Sequence, residues 1–134
     1  MSGAENKQLM QGIFAEMAKG NSRPLVEAMA EDFQWTVMGH TKWSKTYAGK
    51  QVVLNELFAP LRARIEGHIR TTAQRFIAED DYVVVEARGN NTTKSGKPYN
   101  NAYCFVFRLE GGKLKELREY MDTELVTTTL GDMG

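Results

Sequence analysis

Asp122, which closes the last strand-like run of the chain, is the side chain best suited to moving a proton. An aspartate set against a cavity wall has its ionised form disfavoured by desolvation, which lifts its pKa toward a useful range. A positioned acid or base of that kind contributes about 10²–10⁴ in rate. Its purely structural alternative is a cap on the turn after the strand, through the Thr123 amide, or an ion pair with an arginine. Glu119, three residues earlier, is expected on the cavity wall or its rim. Strand parity sets it opposite Asp122 unless a bulge intervenes. Arg88 and Asn90 share one strand face, so Arg88 is a candidate substrate contact, or it pairs with Glu86, Glu119 or Asp122, or faces water. A histidine side chain can donate or accept a proton, and His40 follows Gly39 at the end of the first strand, where it would sit at a pocket mouth or simply in solvent. Trp35 and Trp43 would wall such a pocket or pack a core or loop, and His68 reads as surface.

Other chemistries fail on inventory. Histidines and carboxylates do not stand at zinc-ligand spacing, so no metal is expected. No phosphate loop or dinucleotide fingerprint occurs, because Gly111-Gly112 sits in a hairpin rather than between strand and helix, and no cofactor is expected. None of the serines, Ser2, Ser22, Ser44 and Ser95, lies in a nucleophile elbow. The one cysteine, Cys104, excludes an internal disulfide and reads as a small buried residue of a strand, with no histidine beside it to form a thiolate pair. Acidic and basic residues balance at 17 each, which leaves no footprint for nucleic acid or an anionic membrane. No apolar run approaches the roughly 20 residues of a membrane span, and the polar segment Met1 to Gln11 lacks a signal peptide's core. The cytoplasm is the expected location.

These side chains need elements to hold them. Leu9, Met10, Ile13, Phe14 and Met17 make one apolar helical face between Glu5 and Lys19, ended by Gly20. Pro24 sits in the first turn of a second, short helix ending near Glu31-Asp32, and Phe33 to Met38 reads as a strand. Gly39 to Tyr47 is expected as loop. A third helix follows Gly49, with Val53, Leu57, Leu61 and Ile65 on its face and a kink or early end at Pro60. Then come four strands, His68–Ala78, Tyr82–Thr92, Tyr99–Leu109 and Lys113–Asp122, turned at Glu79-Asp80-Asp81, at Thr93 to Pro98 and at Gly111-Gly112. Thr123 to Gly134 is a tail, with room for one helical turn at its start. With no repeat and no linker, one domain over residues 1–134 is expected.

Helices followed by consecutive hairpins specify an α+β fold on a mainly antiparallel sheet. Tyr99, Asn101, Tyr103, Phe105 and Phe107 point one way, and Ala102, Cys104 and Val106 the other. A sheet apolar on both faces must be covered on both. Three helices cover one. The other is expected to meet a second copy of the chain, giving a homodimer through the outer sheet face, or else to lie under the C-terminal tail. The helix-side face mixes aromatics with Asn101 and Tyr103, which suits a cavity for a small, largely apolar organic molecule.

Lys97-Pro98-Tyr99-Asn100-Asn101-Ala102-Tyr103-Cys104-Phe105-Val106-Phe107, then Gly112-Lys113-Leu114 and Arg118-Glu119-Tyr120-Met121-Asp122-Thr123, resemble the ketosteroid-isomerase-related branch of the SnoaL-like proteins, within the nuclear-transport-factor-2-like superfamily. Gly20-Asn21, Ala30-Glu31-Asp32-Phe33-Gln34-Trp35 and Tyr47-Ala48-Gly49-Lys50 agree, so the resemblance spans nearly the whole chain. It implies a cone-shaped roll: three N-terminal helices on a strongly curved, mixed but mainly antiparallel sheet that encloses a pocket. Dimerisation through the sheet is common in the family.

The resemblance also implies which residues act. Asp122 stands where SnoaL-like cyclases carry an acid/base aspartate. Related epoxide hydrolases use an Arg-x-Asp pair, and here it reads Arg88-Gly89-Asn90, whose amide cannot be a base. The steroid isomerases' base and donor tyrosine fall on Val37 and Ile13, which cannot act. The expectation is therefore a cofactor-independent isomerase, cyclase or hydratase using Asp122, with Tyr103, Asn101 and Trp35 positioning the substrate. The rival expectation is a non-catalytic or protective binder using the same pocket.

Overall fold

Ser2 opens the first helix with a reciprocal cap. Its hydroxyl accepts from the Glu5 amide at 3.1 Å, and the Glu5 carboxylate accepts from the Ser2 amide at 3.0 Å. In the computed structural model, which describes residues 2–131, this helix (α1, Gly3–Met17) buries Met10, Ile13, Phe14 and Met17, the face its spacing predicts. Gly20, at φ 86°, ends the following turn. The second helix (α2, Arg23–Ala28) stops earlier than expected, and strand β1 (Met29–Val37) starts correspondingly early.

The segment expected as loop after β1 contains a short strand, β2 (Thr46–Ala48), antiparallel to β1 with Trp35 opposite Tyr47. Three residues of alternating burial are too few for a period to show in sequence. Helix α3 runs over 50–64 as an α turn (Lys50–Val52), a π segment (Val53–Phe58) and a second α turn (Ala59–Arg64). Pro60 neither kinks it out of line with the core nor ends it. The Ala59 amide already donates five residues back, to Leu54, so the wider π register absorbs the donor that proline lacks.

Strands β3 (Thr71–Glu79), β4 (Tyr82–Gly89), β5 (Ala102–Glu110) and β6 (Lys113–Met121) form the expected meander, each shorter than its sequence pattern at one or both ends. Gly111 and Gly112, at φ 57° and 77°, make the β5–β6 turn, which only such residues enter without strain. The sheet order is β2-β1-β6-β5-β4-β3, curved and unclosed, antiparallel except where β1 lies parallel to β6. Met29 opposes Leu114 while Gln34 opposes Glu116, so β1 bulges between these points. The tail forms a last helical piece, α4 (123–130), an α turn at Thr123–Leu125 continued as a π turn at Val126–Leu130.

Alternation along the strands separates the faces. Val83, Val85 and Ala87, Phe105, Phe107 and Leu109, and Leu114 and Leu117 are buried on the helix side. Phe14 holds that layer together: its ring centroid lies 5.9 Å from Phe105 and 6.0 Å from each of Phe76 and Phe107. At the other end of β5 and β6 the packing opens.

Candidate functional site

Trp35 and Glu119 meet because β1 and β6 are parallel neighbours: Trp35 opposes Leu117, and Val37 opposes Glu119. Residues 33, 35 and 37 of β1 face inward, as do Leu117 and Glu119 of β6, so both side chains enter the same interior. The Trp35 indole Nε1 donates to Glu119 Oε1 at 2.9 Å.

A hollow of about 150 Å³ lies between α3 and the concave side of the sheet. Met17, Phe58, Leu61 and Ile69 supply apolar wall, and Trp35, Tyr103, Phe105 and Glu119 line its sheet side. A second lobe of about 60 Å³ shares Trp35, Phe58, Leu61, Tyr103 and Glu119 with the first. It continues toward Trp43, Leu57, Tyr99, Met121, Val126 and Leu130. Glu119 therefore stands where the two lobes adjoin. The π turn of α3 delivers Leu57 and Phe58, and Phe58 meets the Trp35 ring edge-on with centroids 5.3 Å apart.

The electrostatics follow from this enclosure. Burial pushes the Glu119 carboxyl up to about 7, against a smaller lowering by the Trp35 hydrogen bond. The surface it retains is the face it presents to the hollow. Burial likewise raises the Tyr103 phenol well above its ordinary value, with the neighbouring Tyr99 and Glu119 adding to the effect. The Tyr99 hydroxyl accepts from Asn101 Nδ2 at 3.2 Å. Tyr103 stacks on Phe105 at 4.9 Å, which holds its ring flat against the wall. An acid poised near neutrality beside two neutral phenols, in an apolar enclosure, can take and return a proton at a bound molecule.

A profile of the SnoaL-like domain family matches residues 10–117. The chain belongs to the SnoaL-like family. It is similar to a nuclear-transport-factor-2-like protein of Burkholderia xenovorans, with 25% identity, TM-score 0.74 and coverage of 97% of this chain and 98% of that one. It shares its fold with a candidate SnoaL-like polyketide cyclase of Jannaschia sp. CCS1, at 17% identity and TM-score 0.76 over 96% and 92% of the two chains. A candidate isomerase of Bacillus subtilis shares it too, at 20% identity and TM-score 0.79 over 98% and 96%. No protein of curated function matches the sequence.

In this SnoaL-like domain the expected site residues divide. Trp35, Tyr103, Glu119 and Trp43 line the hollow. Asp122 does not lie in its wall. It is exposed, and its Oδ1 accepts from the Leu125 amide at 3.2 Å, so it caps α4, one residue beyond the reach of β6. The cap foreseen through the Thr123 amide is made two residues further on. Parity explains the exchange: with no bulge at this end of β6, Glu119 goes in and the next even position goes out.

Asn101 is fully buried but binds protein rather than the hollow. Its Nδ2 donates to the Asp122 carbonyl at 3.1 Å and its Oδ1 accepts from the Asp122 amide at 3.0 Å, which pins the end of β6. Arg88 lies exposed on the outer sheet face, between Thr72 and Ala102, away from Glu119. His40 is exposed in a separate shallow depression with Thr123 and Glu124. Trp43 is no loop ornament. It is buried, donates from Nε1 to the Gly131 carbonyl at 2.9 Å, carries the Arg64 guanidinium 5.1 Å above its ring, and has its own carbonyl bonded by the Tyr47 hydroxyl at 2.8 Å. Cys104 is part-exposed on the outer face rather than buried, with its thiol pushed up by partial burial and by Glu86. Phe58 and Met121 are wall residues that sequence reasoning did not single out, whereas Leu61 and Tyr99 lie on the helix and sheet faces that the sequence predicts, without a site assignment there.

Among the described residues, no three His, Cys, Asp or Glu side chains converge as a metal site. No helix there is long and apolar enough to cross a membrane.

Proposed function

We propose that this SnoaL-like domain is a cofactor-independent acid/base catalyst of the isomerase or cyclase type, acting on a small, largely apolar organic molecule, with Glu119 carrying the proton. The observation that supports this reading is the carboxyl raised to about 7 inside the two-lobed hollow, anchored by one indole donor. As carboxylate, Glu119 removes a proton from an acidic carbon of the substrate. As carboxylic acid, it returns that proton at another carbon or at an oxygen, so the residue ends as it began and nothing else is consumed. Trp35 orients the carboxyl, while Tyr103 and Phe58 hold a ring against the walls. Asp122, the sequence-based candidate, supports α4 instead.

Deuterium uptake into 2-tetralone in D2O, a small ring ketone with acidic carbon–hydrogen bonds, tests the proposal. The protein is expected to accelerate the exchange. Glu119→Gln is expected to lower the acceleration by roughly 10²–10⁴, while Asp122→Asn keeps it. Equal exchange by wild type and Glu119→Gln removes Glu119 from the mechanism and leaves a binding hollow.

We further propose that a second copy covers the outer sheet face. Ile77, Val84 and Val106 lie in register across β3, β4 and β5, and Ile77, Tyr82 and Tyr120 are 51%, 44% and 41% exposed there. Arg75, Arg88 and Arg118 alternate with Glu86 and Glu116 around this stripe. Two copies thus meet with both charge signs available on each side.

A further inference from the structure

We propose that the mouth of the larger lobe is an anion-binding subsite, so that the substrate is a ring-sized apolar body bearing a carboxylate or a similarly charged group. This rests on the reading of the hollow given above and deepens it. The lobe has opposite chemistry at its two ends. Its inner end carries Glu119, and its outer end is bordered by Arg62 and His68, both exposed, with Ser22 between turns of the rim. Arg70 stands beside them: a Cβ built on Gly20, another rim residue, would meet His68 Cβ at 2.9 Å and Arg70 Cγ at 3.6 Å.

Among the described residues, neither Arg62, His68 nor Arg70 enters an ion pair. Glu16, beside Met17, is already bonded to Lys19 and Asn21. Glu66, beside Gly67, pairs with none of them. The Ser22 hydroxyl, which makes no capping bond on α2, is left as a further donor. In a chain with equal numbers of acids and bases, two arginines near one opening are a local surplus, and His68 adds a ring N–H donor. Arginine at such a position holds a planar carboxylate through two parallel N–H donors.

Size and polarity then define the ligand. A cavity of about 150 Å³ accommodates one benzene-sized ring, and the smaller lobe leaves room for a short substituent beyond Glu119. An anionic group at the inner end would face the Glu119 carboxylate in an apolar enclosure. At the outer end the same group meets the Arg62 guanidinium, with Arg70 near the rim at Gly20, and remains partly hydrated. The charge gradient therefore admits the ring first and leaves the anion at the mouth, which sets the orientation of the substrate relative to Glu119.

Calorimetric titration with 3-phenylpropanoate and its uncharged match, 3-phenylpropanamide, at low ionic strength, tests this. The acid is expected to bind at least tenfold more tightly than the amide. In Arg62→Gln/His68→Gln the preference is expected to fall to about threefold or less while amide affinity is unchanged, and salt is expected to weaken only the acid. Equal affinity of wild type for both probes, or a preference that survives the double substitution, overturns the anion subsite and leaves the acid/base role of Glu119 standing. Failure of both probes to bind at millimolar concentration overturns the subsite, and the hollow as a ligand site with it. Arg62→Lys, which keeps the charge but loses the fork, is expected to retain part of the preference.

Discussion

The Trp35 indole and the Glu119 carboxyl are joined by a 2.9 Å hydrogen bond between two parallel strands that are 84 residues apart in the chain. The bond does two things at once. It satisfies a buried acid that has no other side-chain donor among the described residues, and it fixes which oxygen faces the hollow. A single neutral donor is too little to offset the desolvation of a carboxylate, and so the group rests near neutrality rather than in the ordinary acid range.

Removing that donor tests the balance. Trp35→Phe is expected to raise the Glu119 pKa further, since the indole bond stabilises the ionised form. A hydrogen bond to a charged group is worth about 1.5–3 kcal/mol, or roughly one to two pKa units. Carbon-13 titration of the Glu119 carboxyl reads the shift directly. A pKa at or below the wild-type value would mean that another group sets it.

Stability should carry the same signature. The folded pKa of Glu119, about 7, lies above its model value of 4.5. Below pH 4.5 the carboxyl is protonated in both states and costs nothing. Between 4.5 and 7 only the unfolded chain releases the proton, so stability is progressively lost, on the order of 3 kcal/mol by neutral pH. Glu119→Gln is expected to remove this slope and to be the more stable protein at pH 8 in urea denaturation. Glu5, Glu16 and Asp32, whose pKa values are lowered by local hydrogen bonds, contribute the opposite slope at acid pH in both proteins. The difference between the two curves isolates Glu119.

Asn101 is the fastener of the site rather than part of its chemistry. Asn101→Ala leaves the amide and carbonyl of Asp122 without their side-chain partners in a part-buried setting and opens a void at a fully buried position. The expected cost is about 2–4 kcal/mol, measured as a lower denaturation midpoint at unchanged slope. Asp122→Ala, which removes only an exposed cap, is expected to cost about 1 kcal/mol. The reverse order of these two effects would show that α4, not the end of β6, is the sensitive element.

The outer face is tested by charge. Val106→Arg places a cation in the centre of the apolar stripe formed with Ile77 and Val84. It is expected to convert a dimer to a monomer in sedimentation velocity, with the circular dichroism spectrum retained. A wild-type chain that sediments as a monomer would dismiss the second copy.

Much of this architecture is written in local pattern. The apolar spacing of α1, the Gly111-Gly112 hairpin and the alternation of β4 and β5 depend on near neighbours. The α+β class with its antiparallel hairpins follows from them, while the curved roll is implied by the family resemblance. Along β6, parity sets Glu119 and Asp122 on opposite faces, and the sequence alone favours Asp122 for the interior. What parity does not reveal is where a strand stops. Asp122 reads as the last strand residue, but Asn101 pins its backbone and α4 begins there, so its carboxylate caps a helix. The parallel pairing of β1 with β6 is likewise silent in sequence, because hairpin logic names only neighbours along the chain. That pairing brings Trp35 to Glu119, and with α3 it encloses the hollow that raises the acid's pKa. Composition and periodicity determined the elements and their faces, since those depend on residues a few positions apart. The choice of Glu119 over Asp122 belonged to tertiary structure, because desolvation depends on what surrounds a side chain and not on what precedes it.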